Sequence, residues 1–137
     1  VSGYLLDTVV ISETRKSRAN VGVMAFLSES AESSLFLSVL TLGELRKGVA
    51  IKRVVDPAAA EKINVWAEEI ASNFADRLLP IDAIVGRAWG ELSAARSVPV
   101  VDSLLAATAL IHGLTLVTRN MRDFRFADLA VLNPWTM

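Results

Sequence analysis

Hydrophobic positions in this chain come in short runs separated by longer stretches of mixed character. Tyr4-Leu5-Leu6 is the first run, and it ends at Asp7-Thr8. Leu35-Phe36-Leu37-Ser38-Val39 and Arg77-Leu78-Leu79-Pro80-Ile81 follow. Leu114-Thr115-Leu116-Val117-Thr118 and Leu129-Ala130-Val131-Leu132 complete the set before Asn133-Pro134. Runs this short and apolar predict buried strands. The stretches between them predict helices. Residues 21–27 suit one, stopped by Ser28-Glu29-Ser30. Thr41 with Glu44 three residues on reads as a capping box, opening a helix that carries Leu42, Leu45 and Val49 on one side. Pro57 fits the first turn of a long helix through Ala71, with Ile63, Trp66 and Ile70 inward. Asp82 caps the next, whose apolar stripe is Ile84, Val85, Ala88, Trp89 and Leu92. Ser97-Val98-Pro99-Val100-Val101 leads into a helix over 102–112, ended by Gly113 in the favoured position after the last turn. Short apolar strands alternating with helices give an α/β domain with a mostly parallel sheet of about five strands. No repeat or linker interrupts it, so one domain over residues 1–137 is expected.

Composition narrows the classes. Of 137 residues, 53% are hydrophobic and 21% charged, enough for a core and too apolar for disorder. The net charge of -1 excludes nucleic-acid binding by overall field, although a basic rim around an acidic site remains compatible with it. Cysteine is absent, so disulfides and thiolate metal sites are impossible. No apolar run is long enough to span a membrane, and the first ten residues lack the basic start and cleavage site of a signal peptide. A cytoplasmic protein is the expectation.

Acidic residues then stand out by position. Ligands of an open parallel sheet bind beyond the carboxyl ends of its strands. Asp7 ends the first strand, Glu44 lies in the first turn of the helix after the second, and Asp102 opens an unusually apolar helix. Asn120 and Asp123 follow the fourth strand. Converging carboxylates repel one another unless a cation neutralises them. With no cysteine and only His112, the donor set favours Mg²⁺, or Mn²⁺, over zinc. Such an ion suits phosphodiester hydrolysis. Asp7 and Asp102 are the expected direct ligands, and Glu44 would hold a second ion or the attacking water. Singly, each acid has a plainer use: Asp7 and Asp102 as helix caps or dipole partners, Glu44 as the capping-box acid, Asp123 as a solvated loop residue. Only their combination favours chemistry.

Several segments resemble a known family. Leu5-Leu6-Asp7-Thr8 through Ser12-Glu13 resembles the opening motif of VapC-type toxins of the PIN-domain family. Ser38-Val39-Leu40-Thr41-Leu42-Gly43-Glu44 and Val101-Asp102-Ser103 through Leu110 resemble the segments carrying the family's second and third acids. Leu116-Val117-Thr118-Arg119-Asn120 through Asp123-Phe124 resembles the last active-site motif, and Leu132-Asn133-Pro134-Trp135 a familiar ending. The resemblance implies a three-layer α/β/α PIN fold and divalent-metal-dependent RNA cleavage. It also implies neutralisation by a cognate VapB-like antitoxin, and a homodimer. It gives catalytic roles to Asp7, Glu44 and Asp102, with the fourth place at Asn120 or nearby Asp123. One departure is Val9, where Asn often follows the Asp-Thr pair.

The remaining candidates are peripheral. Arg15, Lys16, Arg18, Arg46, Lys47, Arg119 and Arg122 could meet RNA phosphates or simply form a solvated surface. Phe124 and Phe126 could stack a base or pack beneath the loop. Trp66 and Trp89 read as core or dimer contacts, and His112 as a helix-end residue without a catalytic part. Two other functions compete with a ribonuclease toxin. A receiver-like signalling domain needs a lysine near the last strand, and none follows Lys62. A catalytically weakened PIN domain would serve as a binding or assembly module.

Overall fold

A computed structural model of the chain describes residues 3–125 and 128–137. Five strands form one sheet in the order β3-β2-β1-β4-β5, and every pairing is parallel. They are β1 (Tyr4–Leu6), β2 (Leu35–Ser38), β3 (Leu78–Leu79), β4 (Thr115–Val117) and β5 (Val131–Leu132). β1 is central: Leu5 registers with Phe36 on one side and with Leu116 on the other. All carboxyl ends therefore lie along one edge, with the first-made strand in the middle.

Among the described residues, six α-helices cover the sheet: α1 (Thr8–Glu13), α2 (Val21–Glu29), α3 (Val39–Val55), α4 (Pro57–Asn73), α5 (Ala83–Ala95) and α6 (Val100–His112). Strand alternation sorts them into layers. Leu6, Leu37 and Val117 face a core completed by Val10, Val23, Phe26, Leu45, Val49 and Ala67, from α1 to α4. Leu5 and Leu116 face the opposite core, with Leu105, Ala106 and Ala109 of α6 and with Phe124. The expected α/β/α sandwich is the observed architecture.

Helix boundaries follow local chemistry. Asn20, Asp56 and Asp82 accept from the N–H groups of Val23 (3.0 Å), Ala59 (3.1 Å) and Val85 (3.0 Å), and Pro57 fills the first turn of α4. Gly113 closes α6 at φ 64°, a left-handed conformation that favours glycine.

Three expectations are corrected. Thr41 is not a cap: the Ser38 hydroxyl takes the Leu40 N–H at 3.0 Å, so α3 starts at Val39 and Thr41 falls inside it, buried. The third strand shrinks to Leu78–Leu79 because Arg77 ends a turn of 3₁₀ helix and Pro80 has no N–H to pair. Ile84 is not in the α5 stripe but 59% exposed, whereas Val85 is fully buried. The helix after Asp7, expected only as the alternative use of that acid, is present as the six-residue α1, too short to show a period in the sequence.

Arg77 is a buried cation tied largely to backbone. Its guanidinium donates to the carbonyls of Glu32 (2.7 Å), Leu35 (2.9 Å) and Asn73 (2.6 Å), joining the approach to β2 with the end of α4. Among the described residues, no helix is long and apolar enough to cross a membrane.

Candidate active site

Asp7 is the residue after β1, and it is buried, 8% exposed. One oxygen, Oδ1, accepts from the Thr8 N–H at 2.7 Å, so Asp7 caps α1. The other, Oδ2, accepts from the Thr118 hydroxyl at 2.7 Å. The helix-cap reading and the site reading are thus both met, one oxygen each. Burial pushes the Asp7 carboxyl above its usual range, the two hydrogen bonds pull it back, and the charge of Glu44 raises it again.

Glu44 lies one turn into α3, exposed at the carboxyl edge. It accepts from the Thr8 hydroxyl at 2.5 Å and does not close a box with Thr41. The Thr41 and Thr8 hydroxyls are 3.1 Å apart, so a threonine pair joins α1 to α3 beneath the glutamate.

Asp102 stands in the first turn of α6, half-buried. Its carboxyl is pushed up to about 6, first by burial and then by the negative charges of Asp7, Asp123 and Glu44. Acids from four separate segments therefore converge on the carboxyl edge closely enough to feel one another. The turn that carries Asp102 has no side-chain cap at Pro99. It is held instead through Ser103, whose hydroxyl donates to the Val100 carbonyl and accepts from the Trp89 indole, both at 2.9 Å.

Asn120 is exposed; its amide donates to Asp123 at 2.8 Å, and its backbone N–H donates to Thr118 at 3.1 Å. The two alternatives for the fourth position are thus hydrogen-bonded to each other. Among the described residues, no three His, Asp or Glu side chains are gathered tightly enough to hold a metal ion. The convergence is electrostatic, and the carboxylates do not form a closed cage.

The other sequence candidates separate cleanly. Phe124 is 1% exposed and packs in the core, so it offers no ring to a base; Phe126 lies outside the described residues. Arg46 bonds Asn64 and, at 2.9 Å, Glu68 of α4. Arg15 lies over Trp66 at 5.5 Å and Arg119 over Trp135 at 5.3 Å. His112 is exposed at the end of α6, away from the acids' edge. What the sequence did not single out is the site role of the threonines, Thr8 and Thr118 on Asp7 and Thr41 beside Thr8, with Thr41 legible only as a cap. A hydroxyl at the carboxyl end of an apolar strand, as in Leu116-Val117-Thr118, is the signal that would have found Thr118.

Two grooves flank α1. One, of about 480 Å³, is lined by Thr8, Arg15, Glu44, Ile51, Ile63 and Trp66 among others. A second, of about 300 Å³, is lined by Thr8, Val9, Ser12, Glu13, Lys16, Arg119 and Trp135.

Comparison with known proteins agrees with this geometry. The chain matches the PIN domain family over residues 4–132. It is 36% identical over 140 residues to Toxin FitB of Neisseria gonorrhoeae, covering 96% of this chain and 97% of that one. It is 33% identical over 139 residues to VapC ribonuclease Y4jK of Sinorhizobium fredii, with 96% of each covered. Among solved structures, FitAcB from Neisseria gonorrhoeae superposes with a TM-score of 0.88 at 34% identity, covering 98% of this chain and 99% of that one. An all-parallel sheet with buried Asp7 at its centre, matched along nearly its whole length, places the chain in the PIN-domain family, among the VapC-type toxins.

Proposed function

We propose that this protein is a metal-dependent endoribonuclease, the toxin of a type II toxin–antitoxin pair, folded as a single domain. The observation that carries the reading is the convergence of Asp7, Glu44 and Asp102 at the carboxyl edge, where burial first and the neighbouring acids second lift the Asp102 carboxyl to about 6. Charges that repel one another in the free protein are the expected resting state of a cation site. Oxygen donors without thiolates suit Mg²⁺ or Mn²⁺.

Asp7 and Asp102 would hold the ion, with Asn120 or Asp123 completing the edge. When bound, the ion supplies Lewis-acid stabilisation of charge developing on the phosphate. The rest falls to the chain. Thr118 and the Thr8 N–H fix both oxygens of Asp7, so its carboxylate cannot swing away. Thr8 orients Glu44 through one oxygen, leaving the other to accept a proton from water as its oxygen attacks phosphorus. The phosphorus–oxygen bond to the leaving nucleotide breaks, and that oxygen takes a proton from solvent water, while Glu44 returns its own to solvent.

A toxin needs its inhibitor. The larger groove, with Ile51, Ile63 and Trp66 beside Arg15 and Glu44, suits an amphipathic antitoxin segment. An antitoxin arginine directed at the three acids would pair with them through its planar fork. A homodimer also belongs to this reading, with exposed Ile84 and Val100 among the apolar positions open to a partner.

The test is incubation of purified protein with total cellular RNA, with and without Mg²⁺ or Mn²⁺, followed by mapping of new RNA ends. New ends that appear only with metal support the reading. Intact RNA under every condition favours a catalytically weakened binding module, the alternative supported by the open arrangement of the acids and by exposed Val9 beside them.

A further inference from the structure

The smaller groove has a different character from the larger one. It runs along the opposite side of α1, and Thr8 and Ser12 line both. It is therefore continuous with the acidic edge, since Thr8 is the residue that bonds both Asp7 and Glu44. Its walls carry two exposed cations, Lys16 and Arg119. Lys16 is balanced by Glu13 beneath it at 2.9 Å. Arg119 is held less tightly: among the described residues it makes no close ion pair, it feels the charge of Glu13 more weakly than Lys16 does, and its guanidinium rests on the ring of Trp135. Arg119 also directly follows Thr118, the residue clamped to Asp7. A cation is thus held at the rim of the acid cluster, on a rigid strand end, propped by an aromatic face that leaves its hydrogen-bond donors free.

We infer that this groove is the track for the single-stranded RNA flanking the cleaved bond, with Arg119, seated on Trp135, gripping a backbone phosphate and Lys16 supporting it. The inference rests on the nuclease reading above and deepens it. Charge decides the occupant. A polyanion meets an excess of positive charge here, Lys16 and Arg119 against the buried Glu13, and negative charge at the acids, so the strand is anchored beside the acids and enters them only at the phosphate to be cleaved. The larger groove also seats a cation on a ring, Arg15 on Trp66, but Leu45, Ile51, Val55 and Ile63 make its wall mainly apolar, a lining that suits a protein segment better than a polyanion. Phosphate contacts of this kind fix register without reading sequence. Arg119 is a positioning residue, acting on binding of the strand and not on the bond that breaks.

The test is fluorescence anisotropy of a short fluorescein-labelled oligouridylate, titrated with the full chain in EDTA at several salt concentrations. Arg119→Gln is expected to weaken binding about tenfold and to lower the slope of log affinity against log salt by about 0.7, one phosphate contact on a single strand. Arg119→Lys should keep the slope and lose part of the affinity. Trp135→Phe should do the same, because the cation stays but its seat is smaller. Lys62→Gln, which removes a charge lining neither groove, should change neither. Unchanged affinity and slope in Arg119→Gln, with folding verified by circular dichroism, would overturn the inference. So would an Arg119→Gln protein that binds RNA normally but escapes its co-expressed antitoxin, which would assign the groove to a protein partner. Failure of the nuclease reading looks different: wild-type protein leaves RNA intact with metal, while Arg119→Gln still weakens oligouridylate binding.

Discussion

The Trp89 indole donates to the Ser103 hydroxyl at 2.9 Å, and through that bond α5 holds the first turn of α6, where Asp102 sits. No side chain caps this helix, so the bond replaces part of what a cap would supply. Trp89→Phe should leave the fold intact and lower stability by about 1 kcal/mol. Metal affinity should fall with it as Asp102 loses its support. Trp89→Phe and Ser103→Ala should be strongly non-additive, because each removes the same bond. A double-mutant cycle on the metal titration midpoint measures this; additive effects would show that Trp89 contributes only packing.

Asp7→Asn and Asp102→Asn should each reduce metal-dependent RNA cleavage by more than about a hundredfold while preserving the circular dichroism spectrum. Full cleavage by both folded variants removes these residues from the site.

The two raised carboxyls also set a pH dependence for the metal-free chain. Asp102 titrates at about 6 in the folded protein, against an ordinary 3.8. Between those values the folded state binds the extra proton, so stability is lost as pH rises through this window. Asp7 is shifted in the same direction. Asp102→Asn should therefore be the more stable protein at pH 7, by on the order of 1 kcal/mol after allowing for solvent screening. The difference should vanish below about pH 4. Adding Mg²⁺ should reverse the order, because only the wild type gains from binding it. Urea titrations at the two pH values decide the matter, and a variant less stable at pH 7 contradicts the electrostatic account.

Thr118→Val removes a buried donor while nearly keeping shape. Asp7 would retain only the Thr8 N–H, and the Asn120 N–H would lose its acceptor. The expected loss is about 1–3 kcal/mol, with the acidic limb of the cleavage pH profile moving to higher pH as the Asp7 carboxyl rises. Thr118→Ser should restore both. A profile that stays in place would mean that Thr118 only packs.

Gly22 meets the chain's last turn. A Cβ there would lie 2.2 Å from the Pro134 carbonyl oxygen, which is backbone and cannot step aside cheaply. Gly22→Ala should cost about 1–3 kcal/mol and displace Trp135, so oligouridylate binding should weaken along with stability. Thermal melts and the anisotropy assay together check it; wild-type values in both would place the turn elsewhere.

Much of this was legible in the residues. Strand cores such as Leu5-Leu6 and Leu116-Val117 announce themselves because burial on both faces leaves no polar position between them. Asp56 before Pro57 and Gly113 after His112 mark helix ends by backbone chemistry that needs no tertiary information. Thr41 misled for the same reason that it was attractive: Ser38, Thr41 and Glu44 all offer capping oxygens, and the choice among them depended on where β2 stopped. The links that shape the site, Asp7 to Thr118 and Trp89 to Ser103, join segments whose proximity only the sheet and the packed helices create. Phe124 shows the reverse case, an aromatic near a site motif whose fate was decided by the core behind it.

The central place of β1 has a consequence for how the protein comes into being. Synthesis makes β1 first, yet β4, its neighbour, and Thr118, its clamp on Asp7, come 111 residues later. At about 5–20 residues per second, the ribosome takes on the order of ten seconds to cover that interval. Until then the oldest strand has an open side and Asp7 lacks one of its two holders. On the nuclease reading, chains that stop before β4 would be harmless, and activity would wait until Thr118 has been made.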